Sequence, residues 1–199
     1  MSIYNGSLTS EHFLFHETRI VASLWQSGFN EQVILDQVYT DNLFQYPTEK
    51  EIRKKCHASL RRIKCIEHIP FLLNTLADGG YLEARQAALI ALMLQNRLVA
   101  DFMLEVIGAK YRSMDMTLTV KDINLFFDHL REKDETVSGW SDSTVSRIKS
   151  VLRNILRETG YLEAIGSEAL CPVFLSDDFI QALIDSDLKH LLPAFNVLN

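Results

Sequence analysis

The stretch 48–64, TEKEIRKKCHASLRRIK, constrains this chain more than any other. At 100° per residue, with Ile52 at zero, Cys56, Leu60, Ile63 and the following Ile66 fall within about −40° to 80°. Lys50, Arg53, Lys54, His57, Arg61 and Lys64 fall between about 100° and 200°, on the opposite side. Thr48, three residues before Glu51, reads as a capping box that opens the helix. One face of that helix is suited to a core. The other is a row of cations suited to a polyanion.

Helical spacing continues through most of the chain, with no tandem repeat and no low-complexity segment, which predicts an all-α protein of two small modules. A first helix is expected over 10–27, with Phe13, Ile20 and Leu24 inward and Gly28 as its stop. Asn30 is the expected N-cap of a second helix reaching residue 42, and Pro47 ends the connection to the basic helix. Helix, short turn and basic helix is the outline of a helix-turn-helix unit, an outline that any small bundle shares. A helix over 70–78 stops at Gly79-Gly80. The apolar stretch 82–109, broken near Asn96, is the expected packing centre of an N-terminal domain, residues 1–112.

Polar residues over 112–118 mark the expected boundary with a C-terminal domain, residues 119–199. Thr119 and Asp122 open a helix with Ile123, Phe126, Phe127 and Leu130 inward. Ser141 is the expected N-cap of the next helix, with Trp140 and Val145 as its hydrophobic staple and Gly160 as its end. Val145, Ile148, Val151, Leu152, Ile155 and Leu156 share its inner face; Ser143, Ser146, Ser150, Arg153, Asn154 and Arg157 share its outer face. Short hydroxyls among arginines let a helix approach a groove and donate to phosphates and bases. Residues 161–165 and 169–175 read as two short strands around Gly166-Ser167, with Pro172 at an edge. Helix, basic helix and β-hairpin form a winged-helix-like pattern. A last helix over 177–191, with Ser176 as N-cap, closes the chain.

The net charge of −6 is unevenly spread. Segments 48–64 and 141–157 hold 11 of the 20 Lys and Arg and 3 of the 26 acids, which leaves the rest of the chain at −14. Local patches, rather than net charge, decide where a polyanion docks. On the outer face of 48–64 the i, i+4 neighbours Lys50/Lys54, Arg53/His57 and His57/Arg61 offer no opposite-sign pairing. Duplex DNA, held mainly through phosphates with little sequence preference, is the first reading of that face; an acidic protein surface, including this chain's own acidic parts, and a plain solvated face are the alternatives. The rival functions are therefore a protein-interaction adaptor and a site-specific transcriptional regulator. The expected DNA-contacting set is Lys50, Arg53, Lys54, His57, Arg61 and Lys64 on the first basic helix. On the second it is Ser146, Arg147, Ser150, Arg153 and Arg157.

Other chemistries find little support. Cys56, Cys65 and Cys171 make neither a CxxC pair nor a disulfide framework, and Cys56 and Cys65 point nearly opposite ways on one helix. His12 and His16 lack the glutamate of HExxH between them, and Asp177 and Asp178 serve as helix N-terminal charges. None of the eight glycines stands in a GxxxxGK[ST], GxGxxG or GxSxG motif. A binding protein without cofactor or metal is therefore expected, rather than an enzyme. The first ten residues lack a basic n-region and an apolar h-region, and the longest apolar run, 87–94, is far short of a span, so a cytoplasmic chain off the membrane is expected.

Glu17, the run Asp41-Asn42-Leu43-Phe44-Gln45, the basic helix with its LRRI, Trp140-Ser141 with Thr144, and Glu158-Thr159-Gly160-Tyr161-Leu162 together resemble the BrxA family. These are small helical proteins of BREX bacteriophage-exclusion systems. The resemblance covers most of the chain and implies a soluble, non-enzymatic component that binds double-stranded DNA beside a methyltransferase and other BREX proteins. Some members carry an inner-membrane label, which the hydropathy here contradicts. The DNA-contacting residues named above come from the helical faces, not from the resemblance.

Overall fold

The computed structural model describes residues 4–197; the three residues before and the two after them, assigned above to the two expected domains, lie outside the described residues. Eleven α-helices and no β-strand occur among the described residues. The chain divides into two compact units.

Leu14–Gln95 makes the first unit, from α1 (Phe15–Gln26), α2 (Glu31–Thr40), α3 (Glu49–Ile66), α4 (Pro70–Asp78) and α5 (Tyr81–Gln95). Local chemistry sets the ends of these helices. The side chains of Asn30 and Thr48 accept the Val33 and Glu51 N–H groups, and Pro70 stands where its missing N–H costs nothing. Gly28 follows α1 at φ +86°, a left-handed turn that a side chain would strain. The helix α3 sits at the centre of the unit, in contact with α1, α2, α4 and α5. Ile52, Cys56, Leu60, Ile63 and Ile66 are all buried there. Each large apolar side chain so buried contributes roughly 1.5–3 kcal/mol. Close approach of α1 and α3 uses small residues: Thr18 Oγ1 donates to Leu14 O at 2.6 Å and lies 3.4 Å from Ser59 Oγ. The α2–α3 connection, 41–48, exceeds the roughly 3–4-residue turn of a helix-turn-helix unit, so these helices do not reproduce that motif.

The described residues on either side of that segment make the second unit. It opens with a single 3₁₀ turn, Ser7–Thr9, in place of the helix start expected at residue 10. Asn96 breaks the long apolar stretch by capping α6 (Arg97–Asp101) through its side chain, and a π-helical turn, Phe102–Ile107, leads into α7 (Gly108–Arg112). The stretch expected to centre one domain is thus shared between both units. Tyr4, Ser7 and Leu8 explain why the N-terminal segment belongs here. Tyr4 Oη donates to the buried Asp101 carboxylate at 2.7 Å, Asn96 Nδ2 donates to Ser7 Oγ at 3.3 Å, and Leu8 is buried. The units therefore divide at Leu14 and Asn96, in contrast with a division at 112–119.

Further along, α8 (Val120–Lys133) starts with a complete capping box between Thr119 and Asp122 and buries Ile123, Phe126, Phe127 and Leu130. A short α9 (Glu135–Ser138) precedes α10 (Asp142–Glu158), whose N-cap Ser141 accepts the Thr144 N–H. Val145, Ile148, Val151, Leu152, Ile155 and Leu156 are buried, and α10 packs on the Ser7–Thr9 turn. The expected hairpin is absent. Tyr161 and Leu162 are buried in succession, which a one-sided strand cannot do. The N–H groups of both donate to Leu156 O, so the segment finishes α10 after Gly160 at φ +86°. Among the described residues, an isolated antiparallel bridge, Thr117 with Ala169, is the one instance of sheet pairing, and the winged-helix outline lapses with the hairpin. The last expected helix divides into α11 (Asp177–Asp185) and a 3₁₀ turn, Lys189–Phe195. Tyr161 Oη donates to Ala194 O at 2.9 Å and ties that turn to the core. No single helix among the described residues is long and apolar enough to cross a membrane.

Candidate nucleic-acid interface

Burying one stripe of α3 fixes the direction of the other. Lys50, Lys54, His57, Arg61 and Lys64 are exposed and Arg53 is half-exposed, all on one side of the helix. From Lys50 to Lys64 the row follows about 21 Å of helix axis, or roughly six base-pair steps of a duplex. Lys55 and Arg62 belong to the same basic run and are buried, Arg62 with 1% of its surface exposed.

The row is not uniform. Arg53 Nε donates to Glu49 Oε1 at 2.8 Å, and its guanidinium lies 4.6 Å from the centre of the Tyr39 ring. That hydrogen bond, joined by one from Tyr39, holds the Glu49 carboxyl below the usual carboxylate range. Lys64 Nζ lies 2.6 Å from Glu31 Oε1 on α2. Among the described residues Lys50, Lys54 and His57 have no carboxylate partner. The Glu49–Arg53 pair was legible in the sequence as an i, i+4 neighbour lying off the outer face. Tyr39 and Glu31 were not, because only the packing of α2 on α3 brings them there.

The outer face of α10 divides differently. Ser146, Arg147, Ser150 and Arg157 are exposed. Arg153 is half-buried, and its Nη1 donates to Ile165 O at 3.1 Å and Ser167 O at 3.4 Å, so this side chain closes the 165–167 turn onto the helix. Arg157 Nη2 donates to Asn154 Oδ1 at 3.0 Å, and Asn154 Nδ2 donates to Glu158 Oε1 at 2.6 Å. Lys149 Nζ donates to Asn124 Oδ1 at 2.8 Å and stands 5.2 Å from the centre of the Phe127 ring. The α10 residues thus belong to one unit and the α3 row to the other.

A cavity of about 210 Å³ opens in the same unit as α3, lined by His16, Glu17, Ile20, Leu43, Phe44 and Gln45. Tyr46 Oη donates to Glu17 Oε1, and burial together with that bond pushes the Tyr46 phenol well above its usual range. The 41–46 loop is fixed by paired hydrogen bonds, Asn42 Nδ2 to Tyr46 O and Tyr46 N to Asn42 Oδ1, both 3.1 Å. Asn42 and Gln45 stand at positive φ, 44° and 56°.

The family model described as BrxA matches residues 2–187. A BREX protein BrxA from Bacillus cereus is 30% identical over 161 residues, covering 81% of this chain and 80% of that protein. Proteins of the same description from Escherichia coli and Paramagnetospirillum magneticum are each 24% identical, covering 94% and 98% of this chain and 88% and 96% of their own. A crystal structure of an uncharacterized protein from Magnetospirillum magneticum superposes with a TM-score of 0.82 at 21% identity, over 98% of each chain. With the helical fold shared along nearly its full length and the family pattern matched over 2–187, the chain belongs to the BrxA family.

Proposed function

We propose that this chain is a non-enzymatic, duplex-DNA-binding component of a BREX bacteriophage-exclusion system, engaging DNA mainly through phosphates and with little sequence preference. The observation that carries the reading is the α3 row. Lys50, Lys54, His57, Arg61 and Lys64 share one exposed side of a helix whose other side is buried in the unit. Cations held on a rigid helix neutralise phosphates and release counterions, a sequence-independent source of affinity. Arg53 and Lys64 exchange a carboxylate for a phosphate on binding. On α10, Ser146, Arg147, Ser150 and Arg157 supply a second contact, and Arg153 keeps the turn beneath them closed. The BREX relatives support a place beside other BREX proteins; a methyltransferase among those partners is part of the proposal.

The double variant Arg53→Glu with Arg61→Glu tests the reading. It should lose duplex binding in an anisotropy titration while keeping the wild-type helical spectrum. The second reading, an adaptor whose cationic helix docks on an acidic BREX subunit, draws on the same row and on its existing carboxylate pairings. Unchanged DNA binding with lost capture of a BREX partner establishes that reading instead.

A further inference from the structure

The cavity between α1 and the 43–45 segment has the chemistry of a nucleobase receptor. At about 210 Å³ it lies below the roughly 300–1,000 Å³ of pockets that enclose a drug-sized molecule, and suits a single planar ring system. Phe44, Ile20 and Leu43 supply apolar walls. Gln45 brings an amide that both donates and accepts, Glu17 a carboxylate with an oxygen beyond the one that Tyr46 engages, and His16 an imidazole. Apolar walls with a few such groups are what hold an unstacked base by its face and read its edge. A phosphate alone fits poorly, because Glu17 repels it. A fatty chain fits poorly, because half the lining is polar.

Position and rigidity agree with that occupant. Gln45 stands three residues before the N-cap Thr48, so the cavity is covalently close to the end of the cationic row that starts at Lys50. Glu17 on α1 and Leu43, Phe44 and Gln45 on the α2–α3 connection converge on this cavity. The loop is held in place without glycine, with Asn42 and Gln45 in the left-handed region and the Asn42–Tyr46 pair locking it. Backbone strain of this kind persists where the surroundings over-determine a conformation.

We infer that this cavity receives one unpaired nucleobase of DNA whose backbone lies along α3, an inference that rests on the DNA reading above. Such a site adds a preference for duplexes with an unpaired or displaced nucleotide over perfect duplexes. The test compares anisotropy titrations of the full chain with a perfect duplex and with four duplexes of the same length, each carrying one central unpaired nucleotide, at one salt concentration. At least one of the four should bind about ten-fold tighter, the scale of one captured base. Phe44→Ala and Gln45→Ala should each bring that preference within about two-fold while leaving perfect-duplex affinity unchanged and the circular-dichroism spectrum intact. Equal wild-type affinity for all five duplexes overturns the inference. So does a preference that survives both substitutions, since DNA flexibility alone then explains it. Titration with the four nucleoside monophosphates, followed by amide NMR, reads the cavity without a duplex. Shifts confined to His16, Phe44 and Gln45 support a base site there, and with no duplex bound they separate failure of the α3 reading, which overturns the inference as a whole, from failure of the cavity. No shift there with all four nucleotides contradicts it.

Discussion

Truncating Arg62 to alanine should cost the fold about 3–5 kcal/mol, whereas the same change at its neighbour Arg61 should cost under about 0.5 kcal/mol. The two residues are one position and 100° apart on α3, and Arg62 is buried while Arg61 is exposed. Truncation keeps Cβ and removes the other two methylenes of the Arg62 stem, worth about 1.6 kcal/mol when fully buried at ~0.8 each. Each polar group left facing the vacated guanidinium site adds roughly 1–3 kcal/mol. Urea unfolding monitored by circular dichroism reads the difference as a lowered midpoint at constant slope. For a chain of this size 3 kcal/mol corresponds to a melting temperature lower by about 6–12 °C. In the DNA titration the order reverses: Arg61→Ala weakens binding of a fully folded protein. An Arg62→Ala protein as stable as wild type, or an Arg61→Ala protein equally destabilised, refutes the assignment of one arginine to the core and the other to the surface.

Acid should weaken the second unit through Asp122. Its partial burial raises the carboxyl pKa, but hydrogen bonds from Thr119 and the Lys110 ammonium at 3.1 Å outweigh that and hold it below the usual range. A depressed folded-state pKa gives stability that is complete above the unfolded value, near 4, and is lost as pH falls through the lower folded value. Urea midpoints taken from pH 6 to 2.5 should show that loss in wild type and less of it in Asp122→Asn. Thr119→Ala, which removes the cap at neutral pH, should cost about 0.5–2 kcal/mol in the same assay. The Cys56 thiol, pushed up to about 12 by burial, should resist iodoacetamide at pH 8 in the native protein and react once urea unfolds it, as peptide mapping reports. Rapid native labelling of Cys56 contradicts its place in the α3 core.

The elements that periodicity resolves best are those with local caps. Asn30, Thr48, Thr119 and Ser141 all cap the helices expected of them, and α4 runs over the residues expected of it. The helical wheel also left Lys55 and Arg62 off the outer face of α3, at about −60° and −80° from Ile52, and the structure buries both. A count of basic residues included them, because composition has no direction. The hairpin failed for a related reason: β-branched and aromatic residues near glycines suggested strands, while two successive buried side chains, Tyr161 and Leu162, belong to a helix ending. Asn96 was visible as a break, yet which unit each half joins depends on Tyr4, Ser7 and Asp101, far apart in sequence. The 41–46 cavity loop was the least legible, since its left-handed residues, Asn42 and Gln45, carry no glycine signal.

The measurement that bears most directly on the DNA reading is the salt dependence of duplex affinity for the wild-type chain. With about four to six phosphates neutralised, log affinity should fall against log salt with a slope of roughly −4 to −5. Between 50 and 200 mM salt that is a loss of about 200- to 1,000-fold. The Arg53→Glu, Arg61→Glu protein should show no duplex binding across the same salt series. Wild-type binding that holds its affinity across that range, or no wild-type binding at 50 mM, contradicts a phosphate-contacting α3.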